Sequence, residues 1–217
     1  MDKVSIAIDG PAGAGKSTIA KKIAEAKKIL YIDTGAMYRA ITLKLLNNNV
    51  SLKNNEVILE TLESTGIEFK EGSIYLDGIN VDQEIRRPEI NKNVSEVAAI
   101  PCVRKVLVNI QRKIAENNSV IMDGRDIGTR VLPFAKYKFF LTASVDERAK
   151  RRYIELKKNG YEQSYEEVAE EISKRDKMDT ERKLDPLRKA EDAILVDTTG
   201  KTIDEVIDTI IEKIDTI

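Results

Sequence analysis

Gly10 to Ser17 read G-P-A-G-A-G-K-S and meet the spacing G-x-x-x-x-G-K-[ST] of a phosphate-binding P-loop. Gly10, Gly13 and Gly15, with Pro11, Ala12 and Ala14 between them, let backbone N–H groups turn inward around polyphosphate oxygens. A helix expected behind the loop adds the partial positive charge of its N-terminus. Lys16 is placed to reach the β- and γ-phosphates and the Ser17 hydroxyl to hold Mg²⁺, with Thr18 beside it. These residue types at this spacing point to binding of a nucleoside triphosphate.

Two further islands carry chemistry. Y-I-D-T-G-A-M-Y-R (31–39) and M-D-G-R-D-I-G-T (122–129) both fall at the ends of predicted strands, where open parallel sheets bind ligands. Thr34 can cap the helix that follows, touch a ligand, or do both. Arg39 lies one turn further in, where a guanidinium could grip a phosphate with two hydrogen bonds. Asp123 closes an apolar strand and can help hold a hydrated Mg²⁺. Arg125 and Asp126 project from the loop beyond it. In the charge-dense stretch 144–192, Ser164 and Glu167 have the spacing of a capping box. Arg175, Asp179 and Arg182 then fall at i, i+4 and i+7, on one helical face. Taken alone, that face reads as solvated ion pairs.

The elements that must position these residues alternate. Strands are predicted at 3–8, 29–32, 119–123, 136–143 and 193–197, with helices at 16–27 and 35–47. Such alternation implies an α/β fold, a parallel sheet covered by helices on both faces. Thr202 and Glu205 cap a last helix whose Ile203, Val206, Ile207, Ile210, Ile211 and Ile214 follow the helical period of core packing. Residues 66–85 break the pattern as a small antiparallel meander with turns at Glu71-Gly72 and Asp77-Gly78. Pro101 opens a helix at 101–116.

Composition excludes several classes. The 217 residues suit one α/β domain with a small insert. The 36 basic and 37 acidic side chains nearly cancel, so no bulk attraction to nucleic acid polymers or membranes is expected. No apolar run reaches the length of a membrane span, and the N-terminus enters a charged-tipped strand instead of a signal peptide, which predicts a cytoplasmic protein. Cys102, the one cysteine, reads as a packed small apolar residue. The chain has no histidine, which removes Ser-His-Asp and Cys-His nucleophile systems and the commonest zinc ligand. Phosphoryl transfer tolerates that loss, because it asks mainly for positioning and charge neutralisation.

The segments IDGPAGAGKST, DTGAMYR, VSEVAA followed by PCVR, DGRDIGT and RDKMDTER occur here in the order seen in bacterial cytidylate (CMP) kinases, and the chain resembles that family along essentially its whole length. The resemblance implies a single nucleoside monophosphate kinase domain over 1–217. Its P-loop NTPase core would have a parallel five-stranded sheet flanked by helices. An antiparallel three-stranded nucleotide-binding insert would span approximately 60–100, and a helical lid approximately 148–165. It further implies Mg²⁺-dependent transfer from ATP to CMP and dCMP, directly and in line, by a monomer acting on small molecules. Arg39 and Arg125 inherit the acceptor phosphate. Asp126 would accept from the cytosine N4–H₂, with Ser95, Arg104 and Arg182 around the base and Thr34 and Tyr38 nearby. Arg175 and Asp179 correspond to ribose-side residues. Arg148, Arg151 and Arg152 are the lid's candidates for stabilising the transferring phosphoryl group. Some members have GKGT where this chain has GKST, and Ser17 keeps the metal-binding hydroxyl. The alternatives are a UMP, adenylate or shikimate kinase, or a GTPase-like switch. A switch should carry N-K-x-D, and the nearest string, Asn91-Lys92-Asn93-Val94, lacks the aspartate.

Overall fold

A computed structural model describes residues 3–70, 72–158 and 160–215. Five strands, β1 (Ser5–Asp9), β2 (Leu30–Asp33), β6 (Val120–Gly124), β7 (Tyr137–Thr142) and β8 (Ile194–Asp197), form a sheet in the order β2-β6-β1-β7-β8. The expected α/β fold with its parallel five-stranded sheet is present. β1 runs parallel to both neighbours, with Ile6 opposite Ile121 on one side and Tyr137 on the other. A strand covered on both faces must be apolar almost throughout, and Ile6, Ala7 and Ile8 are buried. Because β1 and β6 are adjacent and parallel, the loops leaving their carboxyl ends emerge side by side.

Helix α1 (Lys16–Lys27) forms where a helix was expected and buries Ile19, Ala20, Ile23 and Ala24 on one face. On α8 (Ile203–Asp215) the stripe is narrower than its spacing suggested. Val206, Ile207, Ile210 and Ile214 are buried, but Ile203, in the first turn, is largely exposed. The cap of α8 is as predicted, with the Glu205 N–H donating to Thr202 Oγ1 and the Thr202 N–H to Glu205 Oε2.

Gly10 leaves β1 with φ 151°, and a Cβ there would fall 2.0 Å from the Leu141 carbonyl oxygen of β7. That neighbour is backbone and cannot turn aside. Gly10→Ala is expected to destabilise the protein by about 3 kcal/mol or more, lowering the melting temperature by roughly 10 °C in thermal unfolding.

Contacts divide the chain into two compact units, one of them Ile32–Asn117 and the other the remainder. Within Ile32–Asn117 lie α2 (Thr34–Asn47), α3 (Asn55–Glu63), β3 (Ile67–Lys70), β4 (Ser73–Leu76), β5 (Ile79–Asn80), α4 (Pro88–Ala99) and α5 (Pro101–Asn117). The meander is real, and Asp77 and Gly78 both adopt positive φ, as a tight hairpin turn requires. Its third strand is only two residues long, because a turn and a short 3₁₀ segment (Glu84–Arg86) follow at once. Gly72 also has positive φ, while Glu71, its expected turn partner, lies outside the described residues. Cys102 is half-buried on α5. In the other unit, α6 (Val145–Lys158) packs on α7 (Tyr165–Glu181) through Ala149, Leu156, Val168 and Ile172. The predicted capping box of Ser164 and Glu167 starts α7.

Candidate active site

The P-loop is shaped from within. Gly13 and Gly15 have φ of 76° and 83°, and a Cβ on Gly13 would press on the backbone and Cβ of Arg148 at 3.0 Å. Lys16 begins α1 and is 6% exposed, and its Nζ donates to the Pro11 carbonyl at 2.8 Å. The ammonium therefore curls over the loop it follows. Burial, with Arg125 and Arg175 adding repulsion, pushes Lys16 down from 10.5 to about 7, although Asp123 and Asp9 oppose the shift. An anion bound in the loop would restore its charge.

At the end of β6, Asp123 accepts from two hydroxyls, Ser17 Oγ at 2.8 Å and Tyr31 Oη at 2.9 Å. The first contact ties the P-loop to the DGRDIGT loop. The residues present fit Mg²⁺. Among the described residues no group of three or more Cys, Asp or Glu side chains is arranged to hold a metal. Mg²⁺ characteristically takes only one or two protein oxygens and completes its shell with water and substrate phosphates. The Ser17 hydroxyl beside the Asp123 carboxylate is a donor set of that kind.

Arg125 donates from Nε to Asp179 Oδ2 at 2.7 Å, and Arg175 Nε stands 3.9 Å from the same oxygen. Burial pushes the Asp179 carboxyl up, but Arg125 and Arg175 outweigh it and hold it below the usual carboxylate range. Burial likewise opposes the Arg125 charge, and Asp179 more than compensates. Arg175 and Asp179 share a face as expected, but Arg182 does not belong to that helix face. α7 ends at Glu181, and Arg182 is its C-cap with extended backbone, ψ 139°. From there Arg182 stands 3.4 Å from Asp126 Oδ1 and donates from Nε to the Asp185 carbonyl at 2.8 Å.

Asp9 went unsingled in the sequence, where it reads as a strand end. It is buried, and its two carboxylate oxygens accept from the Ile127 and Gly128 N–H groups at 2.7 Å each. Burial pushes its pKa up from 3.8 to about 7, against those two hydrogen bonds. Thr198 at the end of β8 was also missed. It is 1% exposed, its Oγ1 donates to the Thr142 carbonyl, and it receives the Arg151 Nη1 at 3.0 Å. Arg148 is buried as well, donating to the carbonyls of Ala143 and Ala12 and pairing with Asp176. Arg152 pairs with Glu155 on the surface of α6.

In the Ile32–Asn117 unit, the expected role of Thr34 as a helix cap is corrected. Asp33 caps α2, accepting from the Ala36 N–H at 2.8 Å, and Thr34 is the first helical residue, 3% exposed. Tyr38 and Arg39 follow on α2, with Arg39 Nε donating to Asn91 Oδ1 at 3.2 Å. Arg104 is 2% exposed. It donates to the Ala98 carbonyl and lies over the Tyr38 ring at 5.7 Å. Ser95 is half-buried on α4, which packs against α2.

A glycine loop carrying Lys16 from the central strand of a parallel sheet into a helix, with an acidic strand end beside the loop's serine, defines a P-loop kinase. The chain belongs to the cytidylate kinase family, whose model, described as "Cytidylate kinase", matches residues 6–216. It is 58% identical over 211 residues to the cytidylate kinase of Alkaliphilus oremlandii (strain OhILAs), covering 97% of each. It is 58% identical over 211 residues to that of Caldanaerobacter subterraneus subsp. tengcongensis, covering 97% of this chain and 94% of the relative. A crystal structure of an uncharacterized protein from Eubacterium ventriosum ATCC 27560 shares the fold, with a TM-score of 0.56 at 19% identity over 100% of both chains. No helix among the described residues is long and apolar enough to cross a membrane.

Proposed function

We propose that this enzyme transfers the γ-phosphoryl group of ATP to the phosphate of CMP or dCMP, giving ADP and CDP or dCDP. One observation carries the reading beyond family membership. The loop that bears Lys16 and the loop that bears Arg125 and Asp126 leave adjacent parallel strands and are joined by the Ser17–Asp123 hydrogen bond. A donor-phosphate cradle thus stands beside arginine and aspartate groups suited to an acceptor nucleotide.

An acceptor phosphate oxygen attacks the γ-phosphorus in line while the bond to the bridging oxygen breaks, and no phosphoenzyme forms. Lys16 neutralises charge on the donor phosphates, and the loop N–H groups orient them. Ser17 and Asp123 would hold Mg²⁺, which when bound offsets the charge on the β- and γ-phosphate oxygens. Arg125 holds the acceptor phosphate, and Arg39 carries the same assignment from the family resemblance. Arg148, Arg151 and Arg152 belong to the proposed lid at approximately 148–165, where they stabilise the transferring group. The proposed nucleotide-binding insert spans approximately 60–100. Arg175 and Asp179 are assigned to the ribose side, and Thr34, Tyr38, Ser95, Arg104 and Arg182 to the surroundings of the base.

Asp126 is assigned the base-reading contact. A carboxylate accepts from the cytosine N4–H₂ but opposes the O4 acceptor of uracil, and a polar mismatch of that kind discriminates strongly. Asp126→Ala should lower the ratio of kcat/KM for CMP over UMP by roughly a hundredfold, measured by steady-state ADP release. An equal loss for both nucleotides would remove the base-reading role.

A further inference from the structure

We infer that Asp9 is a specificity-positioning residue: it caps the turn after β6 from outside and so aims Asp126 at the acceptor base. This deepens the functional reading above and rests on it.

The turn Ile127–Val131 is a short π-helical segment with Asp126 at its N-cap position. The Arg130 and Val131 N–H groups both donate to the Asp126 carbonyl, so the Asp126 backbone is fixed by the turn it starts. An aspartate at such a position ordinarily turns its side chain back to accept from the N–H two or three residues on, here Gly128 or Thr129. Asp126 makes no such cap. The first two N–H groups, of Ile127 and Gly128, are bound instead by the two oxygens of Asp9, one each at 2.7 Å. The Asp126 carboxylate is thereby turned toward Arg182, at 3.4 Å.

Two further details fit an external cap. Gly128 leaves room for it, since a Cβ there would lie 3.3 Å from Asp9 Oδ2 and 3.3 Å from the Lys138 side chain. Asp9 is also the last residue of β1, immediately before Gly10, so the same residue that hands the chain to the donor loop holds the acceptor-side turn. Both donors need acceptors, which makes the requirement chemical. Asparagine keeps the shape but sets an NH₂ against one of the two N–H groups. The turn then has one uncapped donor, which draws back the side chain of Asp126, the residue that starts the turn.

The test compares wild type, D9N, D126N and the double variant by kcat/KM for CMP and for UMP, with KM for ATP and thermal melting recorded alongside. D9N should lower the CMP-over-UMP ratio about tenfold, the worth of roughly one misplaced buried hydrogen bond. In the D126N background the same change should move the ratio by less than about twofold, because the group being aimed is already altered. A discriminating wild type whose ratio is unchanged in D9N overturns the inference alone. So does a D9N defect confined to the KM for ATP, or one that persists in full beside D126N. A wild type that uses UMP as well as CMP overturns the base-reading assignment and this inference with it. Should D9N fail to fold, G128A takes its place. Its methyl group presses the turn off Asp9, and the expected loss of discrimination is about threefold, with an unchanged ratio overturning the inference.

Discussion

Lys16→Met is expected to lose phosphoryl transfer, with kcat lower by about a thousandfold or more, and yet to melt at a higher temperature than wild type when no nucleotide is bound. The two effects share one cause. The Lys16 ammonium is buried over its own loop, where Pro11 supplies one carbonyl and Arg125 and Arg175 repel it. A charge held in that way serves an incoming polyphosphate and costs stability until one arrives. The unfolded chain keeps the Lys16 proton up to 10.5, whereas the folded chain keeps it only to about 7. Between those values the unfolded state binds more protons, so wild-type stability from this group rises with pH. The advantage of Lys16→Met is therefore full below pH 7 and shrinks as pH climbs toward 10.5, by several degrees of melting temperature in a scan across that range. A variant that melts below wild type at pH 6 would show that the ammonium is compensated in the empty loop.

Replacing Arg125 should have the second largest effect. Arg125→Ala removes the proposed grip on the acceptor phosphate and leaves the buried Asp179 carboxylate with Arg175 at 3.9 Å as its nearer remaining partner. We expect kcat/KM for CMP to fall by about a thousandfold, with a lower melting temperature as well. Arg125→Lys separates the two roles. Lysine retains the positive charge beside Asp179 but lacks the planar fork that binds phosphate through two bonds. It should recover most of the stability and stay at least about a hundredfold down in kcat/KM. Recovery of activity in step with stability would make Arg125 a structural residue only.

What could be read from the chain divides along a physical line. The P-loop was legible because its function resides in local backbone shape. Gly10, Gly13 and Gly15 are required by conformation and close approach, and Lys16 and Ser17 act within a few residues of them. The inner strands β1, β6 and β7 were legible for a similar reason, since strands buried on both faces are apolar runs, while the edge strands β2 and β8 were legible only as short apolar segments. Asp9 was not, because an aspartate closing a strand looks alike whether it meets water or two N–H groups more than a hundred positions away. Thr198, which receives Arg151, and Asp176, which pairs with Arg148, were hidden in the same way. Where two residues could play one local role, spacing could not choose. Both Asp33 and Thr34 are good caps, and the strand's end at Asp33 decided it. Arg182 was placed on a helix face by its period, but the helix stops one residue short of it. Its extended backbone still brings the guanidinium to Asp126. α3 escaped attention because only Ile58 and Leu62 mark its buried side, a stripe too thin to stand out.

This P-loop kinase should read cytosine on its acceptor, and a coupled ADP-release assay with ATP and Mg²⁺, offering CMP, dCMP, UMP, AMP and GMP separately, puts that to the test. Turnover with CMP and dCMP far above the other three is the predicted result. A different preferred monophosphate, or no turnover stimulated by any acceptor, would contradict it.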